Sequence, residues 1–421
     1  MTRHVSRSPL RRALLSVGLA VAAIGLASCA GSTGPSPTAV PTPSGPTAAG
    51  SASASVPASP SGAPAVPSVL PADSCRLAVD AMPPAQQAGQ LVMVGYDLRN
   101  DNTPAAGELI RSQRLGGVLL MNTTDGGVTQ VRSVTDALRR AAGTDTPGPL
   151  IAADQEGGQV KRLSGPGFAA MPSAAEQGRM STATLTASAR QWGADLHRAG
   201  VDVDLAPVAD VVPPDLASVN QPIARYGRGF GHDPATVSSH VAAFVTGMRD
   251  GGTATAVKHF PGLGQVVGNT DVTNDVTDTR TTRHDPLLAP FAAGIGAGTD
   301  MVMVSSARYT RIDPTHPALW SPVVIEDMLR GDLGWQGVVI SDDLGVAAQV
   351  ASVPAGERAV RFVDAGGDIA VTVDPKLADD MAGALADRAG ADPAFAAKVR
   401  AATVRVLDLK AHRHLASCRP A

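Results

Sequence analysis

The most informative stretch of the chain is Lys258-His259-Phe260-Pro261-Gly262-Leu263-Gly264, which follows the apolar run Thr253-Ala254-Thr255-Ala256-Val257. The apolar run predicts a buried strand, which places a cation and an imidazole where that strand ends. Proline and two glycines then turn the backbone at once, because proline fixes φ and glycine adopts conformations that other residues avoid. A rigid strand end followed by a sharp turn can present polar side chains to a small ligand.

Two other polar clusters occupy the same kind of position. Asp154-Gln155-Glu156-Gly157-Gly158 follows the apolar run at 150–153, and Ser341-Asp342-Asp343 follows the run at 338–340. Ligands of parallel α/β sheets bind outside the carboxyl ends of the strands. We therefore predict one shared site that is built from three distant segments of the chain.

Eight short apolar runs recur between about residue 75 and residue 418. They are mostly continuous in Val, Ile, Ala and Met rather than alternating, which is typical of strands buried on both faces. The predicted strands are 90–94, 117–121, 150–153, 203–207, 254–259, 301–305, 338–341 and 369–373. Helical patterns lie between them, at 129–142, 181–199, 234–250, 286–296, 322–330, 357–365 and 377–386.

Eight strand–helix repeats without a second linker favour an α/β fold of the (β/α)8 TIM-barrel type, forming a single catalytic domain at 75–421. The active site of such a barrel lies at the C-terminal ends of the strands, and the three polar clusters fall there. An open, doubly wound sheet is the alternative. It is disfavoured because no glycine-rich dinucleotide fingerprint follows the first strand.

The first 28 residues predict a signal peptide. Four arginines precede an apolar stretch at 13–26, which has the length of a signal core and is short for a membrane span. The stretch closes with Leu26-Ala27-Ser28-Cys29, which resembles a bacterial lipobox. That resemblance implies cleavage before Cys29, lipidation of its thiol, and an extracytoplasmic protein anchored to the cell membrane. An ordinary secretory signal with a chance cysteine is the alternative.

Residues 29–74 predict a tether between the lipid and the domain. From 30 to 72 the chain is almost entirely Ala, Pro, Ser, Thr and Gly, with no charge before Asp73. Such a segment cannot bury a core. At ~3.1 Å per residue in the polyproline conformation it would reach on the order of 130 Å.

The three cysteines are Cys29, Cys75 and Cys418. If Cys29 carries lipid, the other two remain, one at each end of the predicted domain. In an oxidising exterior we expect them to form a disulfide, and two free thiols are the alternative.

The composition narrows the range of partners. The formal net charge is −3 and no basic stripe is present, so nothing indicates nucleic acid. No histidine or cysteine spacing is typical of a metal site, and no cofactor is expected. Aromatic residues make up 3% of the chain, which favours a small pocket over an extended cleft. We expect a monomer.

Several motifs, in this order, resemble glycoside hydrolase family 3 and specifically its single-domain β-N-acetylglucosaminidases. They are Asp154 to Arg162, Asp204 to Asp210, Arg228-Gly229-Phe230-Gly231, Lys258 to Gly264, and Ser341-Asp342-Asp343-Leu344. The resemblance implies an exo-acting hydrolase that removes β-linked N-acetylglucosamine (GlcNAc) from peptidoglycan fragments or other wall glycans. A family enzyme for another β-glycoside, transfer to phosphate, and a wall-glycan-binding lipoprotein without turnover are the alternatives.

Asp342 is the predicted nucleophile. Retaining glycosidases need a carboxylate that attacks the anomeric carbon, and the family's nucleophile is the first aspartate after this serine. The alternative is a structural role, since Asp342 or Asp343 can cap the short helix expected after Leu344. We predict that Asp343 is the structural one of the pair.

The sugar-binding residues implied by the resemblance are Asp154, Arg162, Arg228, Lys258 and His259. Asp154 can accept hydrogen bonds from two sugar hydroxyls, and the four basic side chains would donate around the same ring. Glu156 is expected to hold the loop or to support Arg162.

The acid/base residue departs from the family pattern. The family carries an Asp-Ser-His or Asp-Thr-His triplet on the loop after the lysine and histidine, whereas this chain has Asn269-Thr270-Asp271. Asp271 stands where the family has its histidine, and a desolvated carboxylic acid can reach a useful pKa, so we predict Asp271 as the acid/base. Asp275, Asp278 and the absence of any acid are the alternatives, with His284 less favoured.

Overall fold

The computed structural model describes residues 72–100, 102–143 and 146–418. The predicted signal peptide, the lipobox with Cys29, and the tether up to residue 71 lie outside these ranges. Within the described ranges, no helix has both the length and the apolar character that a membrane span requires.

Eight parallel strands close into a barrel, so the predicted (β/α)8 fold is confirmed. Each strand pairs with the next strand in chain order, and the last pairs with the first through Val92 and Ala370. The strands are β1 Val92–Asp97, β2 Gly117–Met121, β3 Leu150–Ala153, β4 Val203–Asp204, β5 Ala254–Phe260, β6 Met301–Val304, β7 Val338–Asp343 and β8 Ile369–Thr372.

The helices surround this barrel. Those at the predicted positions are Gly127–Ala142, Thr182–Arg198, Pro234–Asp250, Ala289–Gly296, Val323–Asp332, Ala355–Asp364 and Ala378–Ala391. Val323–Asp332 has π-type turns, and Ala289–Gly296 follows a 3-10 turn at Pro286–Leu288. Helices that the sequence reading did not predict are Ala72–Asp80, Pro84–Gln90, Thr103–Gln113, the short Ala174–Gln177, and Pro393–His412.

The first strand begins two residues later than predicted, because Gln90 ends the helix Pro84–Gln90. Its side-chain amide donates to the carbonyl of Arg114 at 2.6 Å, and its oxygen accepts from Lys410 Nζ at 2.5 Å. Gln90 and Lys410 are both buried. This polar contact lies at the N-terminal ends of the barrel strands, the lower end of the barrel, and Gln90 is not part of a strand.

Three buried or partly buried aspartates connect neighbouring strands at the lower end of the barrel. Each precedes an even-numbered strand and accepts a hydrogen bond from a backbone N–H of the preceding odd-numbered strand. The pairs are Asp202 with Ile151 at 2.8 Å, Asp300 with Thr255 at 3.1 Å, and Asp368 with Val339 at 2.7 Å. These contacts lie at the N-terminal ends of the strands and tie each aspartate to the neighbouring strand.

The predicted disulfide between Cys75 and Cys418 is present in the structure. It links helix Ala72–Asp80 to the segment after Pro393–His412 and packs with Val79, Leu407 and Ala411. The two cysteines are 343 residues apart. In the chain-entropy model, so long a loop stabilises the domain by on the order of 5 kcal/mol, as an upper bound.

Candidate active site

A cavity of about 430 Å³ opens at the C-terminal ends of the barrel strands. It collects Asp154 after β3, Lys258 and His259 in β5, and Asp342 in β7. The side chains predicted for catalysis and sugar binding all line it: Asp154, Arg162, Arg228, Lys258, His259, Asp271 and Asp342. Three distant polar clusters therefore share one site.

Lys258 is buried and is held by two carboxylates. Its Nζ lies 2.7 Å from Asp154 Oδ1 and 2.7 Å from Glu156 Oε1. Burial alone would lower the pKa of Lys258, but the negative charges of Asp154 and Glu156 raise it. Burial would raise the pKa of Asp154, but Lys258 and then Arg162 hold it below its ordinary value. The lysine is therefore a permanent cation beside a permanent carboxylate.

Glu156 also holds Arg228, through a bidentate ion pair. Arg228 Nε donates to Oε2 at 2.8 Å and Nη2 donates to Oε1 at 2.7 Å. Burial would raise the pKa of Glu156, but Arg228 and Lys258 hold it well below its usual range. The expectation that Glu156 supports Arg162 is wrong, because its carboxylate is occupied by Arg228 and Lys258.

The loop after β3 is shaped by Gln155 and Gly157. The Gln155 side-chain oxygen accepts from the N–H groups of Arg162 and Leu163, both at 3.0 Å, which closes a tight hairpin. Gly157 has φ +98°, and a Cβ there would lie 2.0 Å from the carbonyl oxygen of Pro172. This position accepts only glycine, and the hairpin brings Arg162 back towards Asp154.

Arg162 retains unused hydrogen-bonding capacity. Its Nη2 lies 3.8 Å from Asp154 Oδ2, which is an ion pair without a close hydrogen bond. Its Nε is buried and has no hydrogen-bond partner within the part of the chain that the structure describes. Because the guanidinium of Arg162 lines the cavity and its Nη2 makes no close hydrogen bond to Asp154, its terminal nitrogens can donate to a ligand hydroxyl.

His259 lies between the carboxylate of Asp210 and the guanidinium of Arg228. Its Nδ1 is 2.7 Å from Asp210 Oδ2, and its Nε2 is 3.3 Å from Arg228 Nη2. A guanidinium can only donate, so Nε2 accepts and Nδ1 carries the proton that is donated to Asp210. In this tautomer Nε2 is an acceptor rather than the donor expected for sugar binding, and His259 lines the cavity with the other predicted sugar-binding residues.

The two aspartates at the end of β7 have different surroundings. The carboxylate of Asp343 accepts from the backbone N–H groups of Gly345, Val346, Ala347 and Val373, at 2.7–3.0 Å. Asp342 lines the cavity. Within the part of the chain that the structure describes, its carboxylate accepts one hydrogen bond, from Asp343 N–H to Oδ1 at 2.8 Å. Asp343 thus shapes the loop, whereas the carboxylate of Asp342 faces the cavity.

Asp271 lies on a loop that is docked against the segment after β7. Its backbone N–H donates to Asn269 Oδ1 at 3.0 Å, and its carbonyl accepts from Ala348 N–H at 3.1 Å. Asp271 is solvent-accessible where it lines the cavity, although surrounding protein atoms also shield its carboxyl group from water. This burial, followed by the negative charge of Asp342, raises the pKa of Asp271 to about 6.

The alternative acids lie elsewhere. Asp275 is 79% exposed and sits 3.7 Å from Arg308. Asp278 is buried and accepts hydrogen bonds from Arg280 N–H and from both the N–H and the hydroxyl of Thr281. His284 lines a separate cavity near Phe260 and Met328. None of the three lines the cavity that holds Asp342.

The residues that sequence reasoning missed are Asp210, Gln159 and Tyr226. Gln159 and Tyr226 line the cavity, and Asp210 lies behind His259. Asp210 ends the motif that starts at Asp204, which was a usable signal. Within the described ranges, the grouping with metal-ligand geometry is Cys75, Asp408 and Cys418, and its two cysteines are already joined as a disulfide.

Two carboxylates, Asp271 and Asp342, line one cavity with the cations Lys258 and Arg162 at the mouth of a parallel barrel, which is typical of a glycosidase site. The comparisons agree with this class. Residues 85–409 match the model of the glycosyl hydrolase family 3 N-terminal domain, and the chain belongs to this family. The predicted family and the prediction of a glycosidase are both confirmed.

Curated relatives and solved structures give the context. The chain is 36% identical over 291 residues to a beta-hexosaminidase of Stenotrophomonas maltophilia (strain K279a), covering 66% of this chain and 82% of the relative. A beta-N-acetylhexosaminidase structure from Beutenbergia cavernae is 43% identical with a TM-score of 0.76, covering 78% of this chain and 99% of that one. A family 3 beta-N-acetylglucosaminidase from Paenibacillus sp. str. FPU-7 is 28% identical with a TM-score of 0.71, covering 80% and 63%.

Proposed function

We propose that this protein removes terminal, β-linked GlcNAc from the non-reducing ends of wall glycans, including peptidoglycan fragments, with retention of configuration. The observation that carries the proposal is the shared cavity, in which Asp342 keeps a largely unoccupied carboxylate beside the charged clamp around Lys258. A single cavity of about 430 Å³ suits one sugar ring better than an extended chain. The printed name of the Paenibacillus structure, a beta-N-acetylglucosaminidase, supports GlcNAc as the sugar, and that of the Beutenbergia structure supports an N-acetylhexosamine.

In the first step, Asp342 attacks the anomeric carbon while the glycosidic C–O bond breaks. Asp271 gives its proton to the departing oxygen, so the aglycone leaves as an alcohol and the sugar stays as an ester on Asp342. A pKa of about 6 makes Asp271 protonated in a useful fraction of molecules near neutral pH. Its position on the cavity lining supports this role.

In the second step, Asp271, now a carboxylate, takes a proton from water as the water attacks the anomeric carbon. The C–O bond to Asp342 breaks, and GlcNAc is released with its original β configuration. Asp154, Lys258 and Arg162 hold the ring hydroxyls during both steps. All of these side chains belong to one chain, so the two steps require no second copy, and we propose a monomer.

We also propose that the enzyme works outside the cytoplasm on a lipid anchor at Cys29, with the segment up to residue 74 as its tether. The disulfide between Cys75 and Cys418 supports an oxidising compartment. A Cys29→Ser variant should appear in the soluble fraction, while the wild type should partition with membranes and incorporate labelled fatty acid. Equal partitioning of the two proteins would contradict the anchor.

The substrate assignment is tested with nitrophenyl β-glycosides of GlcNAc, glucose and xylose, each with and without added phosphate. We expect fastest turnover of the GlcNAc glycoside, free GlcNAc as the product, and no turnover by Asp342→Asn. A preference for another sugar would change the substrate, and GlcNAc 1-phosphate as the product would mean transfer to phosphate. Measurable GlcNAc binding without turnover of any aryl glycoside would indicate a binding protein, the reading that the altered loop at Asp271 motivates.

A further inference from the structure

Asp210 is a buried carboxylate that the two catalytic steps do not use. It lies after β4, beside the bridge between Val208 and Lys258, and its side chain has no exposed surface. Both of its oxygens are occupied. Oδ2 accepts from His259 Nδ1 at 2.7 Å, and Oδ1 accepts from the backbone N–H groups of His259 at 3.1 Å and Leu263 at 2.9 Å.

The first consequence concerns the histidine ring. Because Arg228 Nη2 donates to His259 Nε2, the ring proton must be on Nδ1, where Asp210 receives it. If a hydrogen-bond donor stood in place of the Asp210 carboxylate, Nδ1 would have to accept and the ring proton would move to Nε2. The Nε2–H group would then point at the N–H of Arg228. The negative charge of Asp210 therefore keeps Nε2 as an acceptor on the cavity lining.

The second consequence concerns the loop that carries Asp271. Leu263 N–H, which Asp210 holds, is at the start of this loop, and Leu263 also lines the cavity. The next residue, Gly264, lies so close to Val211 that an added Cβ would be 1.7 Å from its carbonyl oxygen. The loop therefore leaves β5 in a path that Asp210 and its neighbour determine.

We propose that Asp210 is a positioning residue for the reaction. It sets the tautomer of His259, which lines the cavity beside Arg228, and it fixes the start of the loop that carries Asp271. One buried carboxylate then links sugar binding to the placement of Asp271. The inference rests on the proposed function for its kinetic consequences, but the tautomer itself can be measured without any substrate.

Asp210→Asn is the informative variant, because it conserves shape and removes charge. In one orientation its amide nitrogen faces His259 Nδ1, so the ring must place its proton on Nε2, against Arg228. In the other orientation the nitrogen faces the N–H groups of His259 and Leu263. Both orientations oppose donors, so the variant cannot reproduce the native hydrogen bonds.

The matched control is Asp202→Asn. Asp202 is also a buried aspartate, and it accepts from Ile151 N–H at 2.8 Å and pairs with Arg139, at the opposite end of the barrel. This variant should lose stability without altering the site. It separates a general folding effect from an effect on His259.

The experiment combines histidine-selective 15N NMR with kinetics on a nitrophenyl β-GlcNAc glycoside, using His259→Gln to assign the His259 signals. Wild type should show Nδ1 protonated and Nε2 bare. Asp210→Asn should lose that pattern, raise KM and lower kcat/KM at least tenfold, with a larger loss on glycosides that have poorer leaving groups. Asp202→Asn should keep the wild-type pattern and KM.

Two results would overturn the proposal. One is a wild-type His259 with its proton on Nε2, a measurement that stands even if Asp210→Asn does not fold. The other is an Asp210→Asn protein with the native ring pattern and an unchanged KM, since a merely structural role reduces only the fraction of active enzyme. If wild type turns over no glycoside, the proposed function fails, while the NMR spectra still decide the tautomer.

Discussion

Replacing Asp271 with asparagine should separate the two steps of the reaction. The variant keeps the size of the side chain but cannot donate a proton to the aglycone. General acid catalysis contributes typically ~10²–10⁴-fold, so kcat/KM for an alkyl or sugar aglycone should fall by about that factor. A dinitrophenyl aglycone leaves without help, so its kcat/KM should fall by less than about tenfold. With that substrate the second step lacks its base, and added azide should restore turnover as β-glycosyl azide.

The pH dependence supplies the magnitude for the wild type. The pKa of Asp271 is raised to about 6 by burial and by the charge of Asp342. The protonated form is needed for the first step, so kcat/KM for an unactivated substrate should fall as pH rises through this value. At pH 8 only ~1% of the group is protonated, which predicts a loss of about 100-fold relative to pH 5. This fall of kcat/KM at high pH, the alkaline limb of the pH profile, should disappear in Asp271→Asn.

Asp275→Asn is the matched control, because Asp275 lies on the same loop, is 79% exposed and does not line the cavity. It should behave as wild type on every substrate. Equal losses by Asp271→Asn on good and poor leaving groups, or an unchanged alkaline limb, would refute the assignment of Asp271. A leaving-group effect in Asp275→Asn would move the acid to that residue.

Two further predictions concern stability. Burial lowers the pKa of Lys410 to about 7, whereas the unfolded chain keeps an ordinary lysine near 10.4, so the unfolded state binds more protons between these values. The free energy of unfolding should therefore rise from pH 7 to pH 10. Lys410→Met should remove up to ~4 kcal/mol of that rise, as measured by urea titrations at each pH. The same increase of unfolding free energy with pH in both proteins would contradict this. Asp343→Ala leaves four backbone N–H groups without their acceptor and should lower the free energy of unfolding by about 2–4 kcal/mol. Asp342→Ala should change it by less than about 1 kcal/mol while abolishing activity. Equal stability losses would show that both aspartates are structural.

The barrel and the three polar clusters at strand ends were accessible from the sequence because they depend on local patterns, whereas Arg162, Arg228 and Asp271 were implied by the family resemblance. Apolar runs such as 150–153 predict strands, and a polar residue directly after each run must lie at the carboxyl edge of the sheet. Helix Thr103–Gln113 was missed because its buried face is small. Gly107 sits against Ala141, where an added Cβ would be 2.5 Å away, so part of the contact is made by a glycine that adds nothing to the short apolar stripe of Ala106, Leu109 and Ile110.

The partners within the site were not accessible, because they depend on contacts between distant segments. Glu156 and Arg228 are 72 residues apart, and Asp210 and His259 are 49 apart. Nothing in the chain order indicates that Glu156 faces Arg228 rather than Arg162. The tautomer of His259 likewise follows only from the two groups that the fold places on either side of its ring.

Trapping the covalent intermediate would identify the carboxylate that attacks the anomeric carbon. A fluorinated GlcNAc donor with a good leaving group should form the ester quickly and release it slowly, so that the labelled enzyme can be digested and its peptides weighed. We predict one added sugar per enzyme, on the carboxylate of Asp342. A label on Asp271 or Asp343, or continued turnover of the donor with no labelled peptide, would contradict the account.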